Sequence, residues 1–171
     1  VDSYILSNNT DRADLELLLK NMQRLNWSKY FELHEEQGPI KKLLNYCREK
    51  KLTSGIIACT NGFGLIYRQL GRSGEAERQH LAALELSKSS RDTINMLISL
   101  NNLRVNARRT DNLRKATDYH MEVLNLADRF SDQSNTIRKS KCIALNSLGN
   151  INISLKQYCK SIEIFKQSNA I

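Results

Sequence analysis

Residues 60–87 read TNGFGLIYRQLGRSGEAERQHLAALELS, and the spacing of their small and aromatic residues predicts two packed helices. The first helix should end at Leu70-Gly71, because glycine readily takes the positive φ that closes a helix. Ser73 then has a side chain suited to cap the next helix. Apolar residues follow at steps of three and four, which is typical of one buried helical face. The stretch therefore predicts a helical hairpin.

The same pattern recurs twice further along the chain, over 100–126 and 145–168. Equivalent positions hold Gly64, Arg104 and Gly149 on the first helix and His80, His120 and Phe165 on the second. A weaker copy surrounds Phe31, so successive units start 33, 40 and 45 residues apart. Internal repetition of this size indicates stacked units, each of which buries its apolar face against its neighbour.

The composition favours an all-α protein. Only one proline, Pro39, and seven glycines occur in 171 residues, so breakers of long helices are scarce. Hydrophobic residues make up 40% of the chain, which is enough to bury a substantial interior. No apolar run reaches the about 18 to 20 residues that cross a bilayer, and the polar start does not match a signal peptide. Because the chain begins at Val1 and not at Met, we expect a piece of a longer protein.

These patterns predict one domain over 1–171, built from five segments. An amphipathic helix covers 11–24, and a degenerate unit covers 25–52, with Pro39 at a helix start, where proline is best tolerated. Three clearer units follow at 53–88, 92–130 and 135–170. We expect polar loops between these units, at 87–92 and 130–135.

The arrangement resembles the tetratricopeptide repeat, whose helix pairs carry Leu-Gly and Tyr on the first helix and Ala, an aromatic residue and Ala on the second. The sequence departs from that pattern at Arg104, Asn152, His80 and His120. The resemblance implies a right-handed superhelical array of antiparallel helix pairs, an all-α solenoid with about 3.5 to 4 units in this chain. The long spacing is similar to that of kinesin light chains and of bacterial sensor and regulator proteins. It implies the sensory segment of a bacterial membrane-linked regulator.

Small residues should lie where the two helices of a unit cross or where the next unit docks, because only they permit close approach. These residues are Gly64, Ala76, Ala83, Ala116 and Gly149. His80 and His120 take the position of a packed aromatic residue, so we interpret them as packing residues and not as metal ligands.

No catalytic or metal-binding pattern is present in the sequence. Cys47, Cys59, Cys142 and Cys159 lack a C-x-x-C pair and a matched histidine spacing, so we interpret them as buried free thiols. Nucleophile-elbow, P-loop and zincin motifs are missing. We therefore expect no enzymatic activity, no metal and no cofactor.

Asparagines recur at one register of three consecutive first helices, where the tetratricopeptide resemblance places the concave groove. Asn61, Asn101 and Asn146 share this register, and Asn102 and Asn150 lie beside it. Each amide offers a donor and an acceptor, so a row of them could hold the backbone of an extended peptide. Alternatively, these amides stabilise the stacking of neighbouring helices.

A further groove position holds Arg68 and Arg108, together with Glu35. Two stacked guanidinium groups could bind a carboxylate or a phosphate of a partner. Alternatively, Glu35 pairs with Arg68 across units and the position is structural.

We expect a non-enzymatic interaction module that binds a protein or peptide, either an extended peptide or a partner helix, in its concave groove. The formal net charge of +8 suits an acidic partner, but the basic residues are scattered, which is more typical of a solvated surface. One alternative is nucleic-acid binding through that basic surface, with a steep loss of affinity as salt is added. Another is an architectural array that self-associates through the apolar end at 162–171. The compartment stays open between the cytoplasm and, for an excised sensor domain, the periplasm.

Overall fold

The computed structural model describes residues 39–129 and 135–171, and these residues form seven α-helices and no β-strand. The helices are α1 (Pro39–Glu49), α2 (Thr53–Gln69), α3 (Ser73–Ser89), α4 (Thr93–Arg109), α5 (Leu113–Arg129), α6 (Asn135–Ser154) and α7 (Tyr158–Asn169). The prediction of an all-α chain is confirmed for these residues. None of the described helices is both long enough and apolar enough to span a bilayer.

The chain divides into two compact units, Val1–Asn95 and Met96–Ile171. The described part of the first unit holds α1, α2, α3 and the first turn of α4, and the second unit holds the rest of α4 with α5, α6 and α7. The helix predicted at 11–24 and the first part of the unit predicted at 25–52 lie outside the described residues. The prediction of one domain over 1–171 stays a prediction.

Every described turn between consecutive helices closes at one residue with left-handed backbone geometry. These residues are Lys51, Gly71, Arg91, Asp111 and Lys156, with φ between 54° and 76°. In each turn this residue donates its amide to the carbonyl three residues earlier, and the next amide donates to the carbonyl five residues earlier. This Schellman geometry satisfies carbonyl groups that a helix end would otherwise leave unpaired.

The turns set a regular length for the helices. The left-handed residues at positions 51, 71, 91 and 111 are 20 residues apart. Each of α2, α3, α4 and α5 contains 17 residues, which corresponds to about 25 Å of helix. The helices predicted on both sides of Leu70-Gly71 and Thr110-Asp111 are therefore present, with three-residue turns between them.

The polar loop predicted at 87–92 is shorter than expected, because α3 continues to Ser89. Ser87 is fully buried, and its Oγ donates to the Ala83 carbonyl at 2.7 Å. This internal bond satisfies the hydroxyl inside the helix, so a serine in the sequence does not mark the end of the helix here.

The predicted cap at Ser73 is also wrong. Ser73 is the first residue of α3, and Arg72 occupies the cap position without a side-chain cap hydrogen bond. Arg72 instead donates to Glu75 Oε1 at 2.7 Å and lies over the Tyr67 ring, 4.8 Å from its centroid. The start of α3 is thus held by an exposed ion pair and a cation–π contact, and the Arg72 guanidinium holds the pKa of the Glu75 carboxyl below its usual range.

In the first unit, the core forms where α1 packs on α2. Its buried residues are Ile40, Leu43, Leu44 and Cys47 of α1 and Cys59, Phe63 and Ile66 of α2. On the other side of α2, Gly64 lies against the ring of His80 in α3. A Cβ at Gly64 would lie 2.7 Å from His80 Nε2, which is closer than packed atoms allow. The missing side chain therefore permits α2 and α3 to approach.

In the second unit, α6 and α7 pack in the same way. A Cβ at Gly149 would lie 2.6 Å from Phe165 Cε1. The Ser161 hydroxyl donates to the Gly149 carbonyl at 2.9 Å, which a larger residue at either position would disturb. The prediction that small residues lie where paired helices cross is confirmed at Gly64 and Gly149.

We expect Gly71→Ala to lower the free energy of unfolding by about 1 kcal/mol. No heavy atom lies within 4 Å of a Cβ built at Gly71, so the cost comes from its φ of 76° alone. Urea unfolding followed by circular dichroism measures this difference.

Gly74→Ala is the matched control, since a Cβ at this position also enters open space but Gly74 lies within α3 and lacks a positive φ. This variant should gain about 0.5 to 1 kcal/mol, because alanine is the better helix former. Equal effects of the two substitutions would contradict the turn geometry.

Candidate functional site

The predicted row of asparagines is divided between the two units. Asn61 lies on α2 in the first unit, whereas Asn101, Asn102, Asn146 and Asn150 lie on α4 and α6 in the second. Asn101, Asn146 and Asn150 are exposed, while Asn61 and Asn102 are buried. The shared register therefore gives these amides different environments, and the exposed ones are the candidates for contact with a peptide at the surface.

Asn61 holds α2 against α3. Its side-chain oxygen accepts a hydrogen bond from His80 Nδ1 at 2.9 Å, and both residues are buried. Because the amide oxygen can only accept, the proton of the neutral imidazole lies on Nδ1. For Asn61 the structure supports the stacking alternative, and we omit it from the binding surface.

His80 is held in its neutral form. Burial lowers the pKa of its imidazole to about 3, and the positive charge of the nearby Arg68 contributes in the same direction. The interpretation of His80 as a packed side chain is confirmed, and His120 is likewise fully buried.

Arg104 occupies the position at which the other two clear sequence repeats have Gly64 and Gly149, and it connects α4 to α6. Its side chain donates to Asn101 Oδ1 on its own helix and, at 3.3 Å, to Ser147 Oγ on α6. Only 8% of Arg104 is exposed. Burial and the neighbouring charge of Arg108 lower the pKa of its guanidinium, but arginine keeps its proton in proteins. A buried positive charge is thus fixed beside Asn101.

His120 of α5 lies beside this charge. Among the described residues, neither of its ring nitrogens has a hydrogen-bond partner, although the side chain is fully buried. Burial lowers the pKa of its imidazole to about 3, and the charges of Arg104 and Arg108 add to the effect. The ring is therefore neutral near pH 7, with one N–H donor and one acceptor unused within the described chain.

A cavity of about 290 Å³ opens between α4, α5 and α6 of the second unit. Its polar lining consists of Asn101, Arg104, His120, Thr136, Lys139 and Ser140. Its apolar lining consists of Leu97, Ile98, Val123, Ile143 and Ala144. The cavity therefore combines an apolar wall with donors and positive charge, and none of these lining residues is acidic.

The two predicted arginines do not lie in one unit. Arg68 is partly buried on α2 of the first unit, and Arg108 is exposed on α4 of the second. Glu35 is outside the described residues. Within the second unit, Arg108 has a different basic neighbour, Arg104, one turn earlier on the same helix.

For Arg104 and Lys139 only an indirect signal exists in the sequence. Arg104 appears there as a departure from the glycine of the repeat, and that departure was the signal. Lys139 comes from one of many scattered lysines, and only the packing of α6 places it at the cavity.

The cysteines differ in exposure, although all four are free thiols. Cys47 and Cys59 are buried, as predicted, and the hydrogen bond between them, together with burial, raises the pKa of Cys59. Cys142 is partly buried and Cys159 is exposed, so the prediction of burial is wrong for Cys159. Cys159 lies in the first turn of α7, next to the exposed Tyr158.

No protein-family model matches this chain, and no curated protein matches it either. The resemblance to tetratricopeptide repeats therefore stays a prediction.

The free energy of unfolding should fall as the pH is lowered from about 6.5 to 3. In this window the unfolded chain protonates His80, while the folded chain, with a pKa of about 3, does not. The unfolded state therefore binds more protons and gains stability. Urea unfolding at pH 7 and at pH 4.5 measures the loss.

His80→Phe should remove part of this dependence, about 2 kcal/mol between the two pH values, because it removes the titrating group. Phenylalanine fits the same kind of position at Phe165, opposite Gly149. An unchanged pH dependence in His80→Phe would show that His80 is protonated in the folded chain.

Proposed function

We propose that this chain is a non-enzymatic interaction module of the tetratricopeptide type, which binds an extended peptide or a partner helix along α4 and α6. The regular helices, the constant turn geometry and the glycines at the helix crossings support a solenoid of paired helices. The absence of catalytic motifs from the sequence supports a role in binding. The sensory segment of a bacterial membrane-linked regulator remains the cellular context that the resemblance implies.

The observation that carries the proposal is the pair of exposed amides at Asn101 and Asn146. They occupy one register on the first helices, α4 and α6, of consecutive sequence repeats. The Arg104–Ser147 hydrogen bond links those two helices. Arg104 also fixes Asn101, because its guanidinium donates to Asn101 Oδ1. That bond uses the amide oxygen of Asn101, so a ligand acceptor would pair with its NH₂ group.

An extended peptide offers suitable partners for these groups. Its carbonyl groups can accept from the Asn101 NH₂ group, and its amides can donate to Asn146. The positive charge of Arg104 and Arg108 would favour acidic residues in the same peptide. The surface would therefore hold the main chain and prefer acidic sequences.

We expect Asn101→Ala combined with Asn146→Ala to weaken peptide binding about tenfold or more, because each lost hydrogen bond costs about 0.5 to 1.5 kcal/mol. Peptides selected from a displayed random library on the unsubstituted chain serve as probes, and fluorescence polarisation measures their affinity. Because Asn101→Ala also removes a hydrogen bond to the buried Arg104, the melting temperature should fall by a few degrees, while the helicity is retained.

Asn125→Ala is the control, because Asn125 is an exposed asparagine on the second helix α5. It should leave peptide affinity unchanged. Loss of helicity in the double variant would support the stacking alternative, and equal affinity of all three proteins would exclude these amides from the binding surface.

A second candidate function is self-association through α7, which the exposure of its apolar side chains favours. Tyr158 and Ile162 are 58% and 55% exposed, and Leu155 just before this helix is similarly exposed. Large apolar patches on a protein surface often mark a contact with another chain. A second copy of α7 is an apolar partner of suitable length.

Ile162→Lys should shift the chain from dimer to monomer, because a charge within an apolar contact is costly to bury. Sedimentation velocity at several concentrations measures the distribution. Met121→Lys, which places the same charge at an exposed apolar residue of α5, should leave it unchanged. A wild-type chain that stays monomeric at high concentration excludes this function.

A further inference from the structure

The cavity between α4, α5 and α6 has the features of a binding site for a small molecule. Its volume of about 290 Å³ is close to the lower end of known ligand pockets, which begin near about 300 Å³. If each non-hydrogen atom of a ligand takes up about the 30 Å³ that a water molecule occupies in the liquid, the cavity holds about ten such atoms. This is the size of a short organic acid.

The polar groups of the cavity select for a negative charge. Arg104 supplies a buried guanidinium, and Lys139 supplies an ammonium group from the rim on α6. None of the cavity-lining residues is acidic, so the lining itself does not neutralise these charges. The two hydrogen bonds of Arg104 use one N–H of each terminal nitrogen, and a guanidinium has five N–H groups in all. Donors therefore remain for a ligand.

His120 independently indicates a ligand at this place. The side chain is fully buried at the cavity wall, and neither ring nitrogen has a partner among the described residues. Buried polar groups without partners are rare in folded proteins, since each costs about 1 to 3 kcal/mol. A ligand acceptor within the cavity would receive the N–H of the imidazole.

The remaining wall favours a ligand with an apolar part. Leu97, Ile98, Val123 and Ile143 line the cavity with aliphatic side chains, and their contact with a hydrocarbon would release ordered water. A ligand that fits both parts has an apolar body and one anionic end.

We propose that this cavity binds a small amphipathic carboxylate, with its carboxylate at Arg104, His120 and Lys139 and its hydrocarbon against the aliphatic wall. This site belongs to the second unit alone, and its ligand differs in class from the peptide proposed above. The inference does not rest on peptide binding.

Octanoate tests the proposal, because it has ten non-hydrogen atoms and a single carboxylate. Titration into ¹⁵N-labelled protein should shift the amide resonances of the cavity-lining residues of α4, α5 and α6. Octan-1-ol has the same number of carbons and no charge, and octylammonium has the opposite charge. Octanoate should bind at least about tenfold more tightly than either, because only it pairs with the basic groups.

Lys139→Gln should weaken octanoate binding about threefold to fivefold, as expected for the loss of one partly exposed charge. Lys141→Gln is the charge-matched control on the same helix, since Lys141 pairs with Asp128 at 2.6 Å and does not line the cavity. It should leave the affinity unchanged. Ser140→Leu should abolish binding by filling the cavity without changing the net charge.

Several results would overturn the proposal. One is the absence of any resonance shift at the cavity with octanoate at about 10 mM, a concentration that would reveal a Kd of that size. The others are an equal affinity for octan-1-ol, and equal losses of affinity in Lys139→Gln and Lys141→Gln. Circular dichroism of each variant confirms that it is folded. Since no peptide is used, failure here leaves the peptide proposal intact, and success does not establish it.

Discussion

The close approach of paired helices is the constraint on which the described structure depends. At Gly64 and Gly149 the first helix has no room for a side chain, because the ring of His80 or Phe165 occupies that space. In each of these two pairs, the glycine and the ring residue are 16 residues apart in the sequence. The ring can therefore lie against the glycine only if the chain between them, from the first helix through the three-residue turn into the second helix, has a fixed length. In both pairs a left-handed turn residue, Gly71 or Lys156, follows the glycine by seven positions and maintains that length.

The candidate site lies where this constraint is broken. In the sequence repeat over 100–126 the equivalent pair is Arg104 and His120, so a long charged side chain replaces a glycine. Arg104 donates to Asn101 and Ser147, and these bonds offset part of the cost of burying its charge. Among the described residues, the neutral ring of His120 has no hydrogen-bond partner beside the cavity. The described hydrogen bonds of Arg104 go to neutral groups, so its buried charge costs stability that a bound anion would restore.

The sequence predicted the helices well because their signals are local. The glycine at Gly71 and the steps of small and apolar residues each act within one or two turns of chain. The site was less predictable, because a shared register fixes the direction of a side chain and not its depth. Asn61 is buried because His80 donates to it, whereas Asn101 is exposed and accepts from Arg104. Exposure at Cys159 likewise depends on what packs over α7, which no local pattern records.

The sequence by itself determined the helical class, the hairpin turns and the common register of Asn101 and Asn146, because helix periodicity and turn chemistry are properties of neighbouring residues. The tertiary structure decided which polar groups are buried, which are exposed and which share a cavity. Those outcomes depend on contacts between residues far apart in the chain, such as Arg104 with Ser147. Burial is the physical reason for the properties of the cavity. It keeps the His120 imidazole neutral and places the positive charge of Arg104 beside an apolar wall.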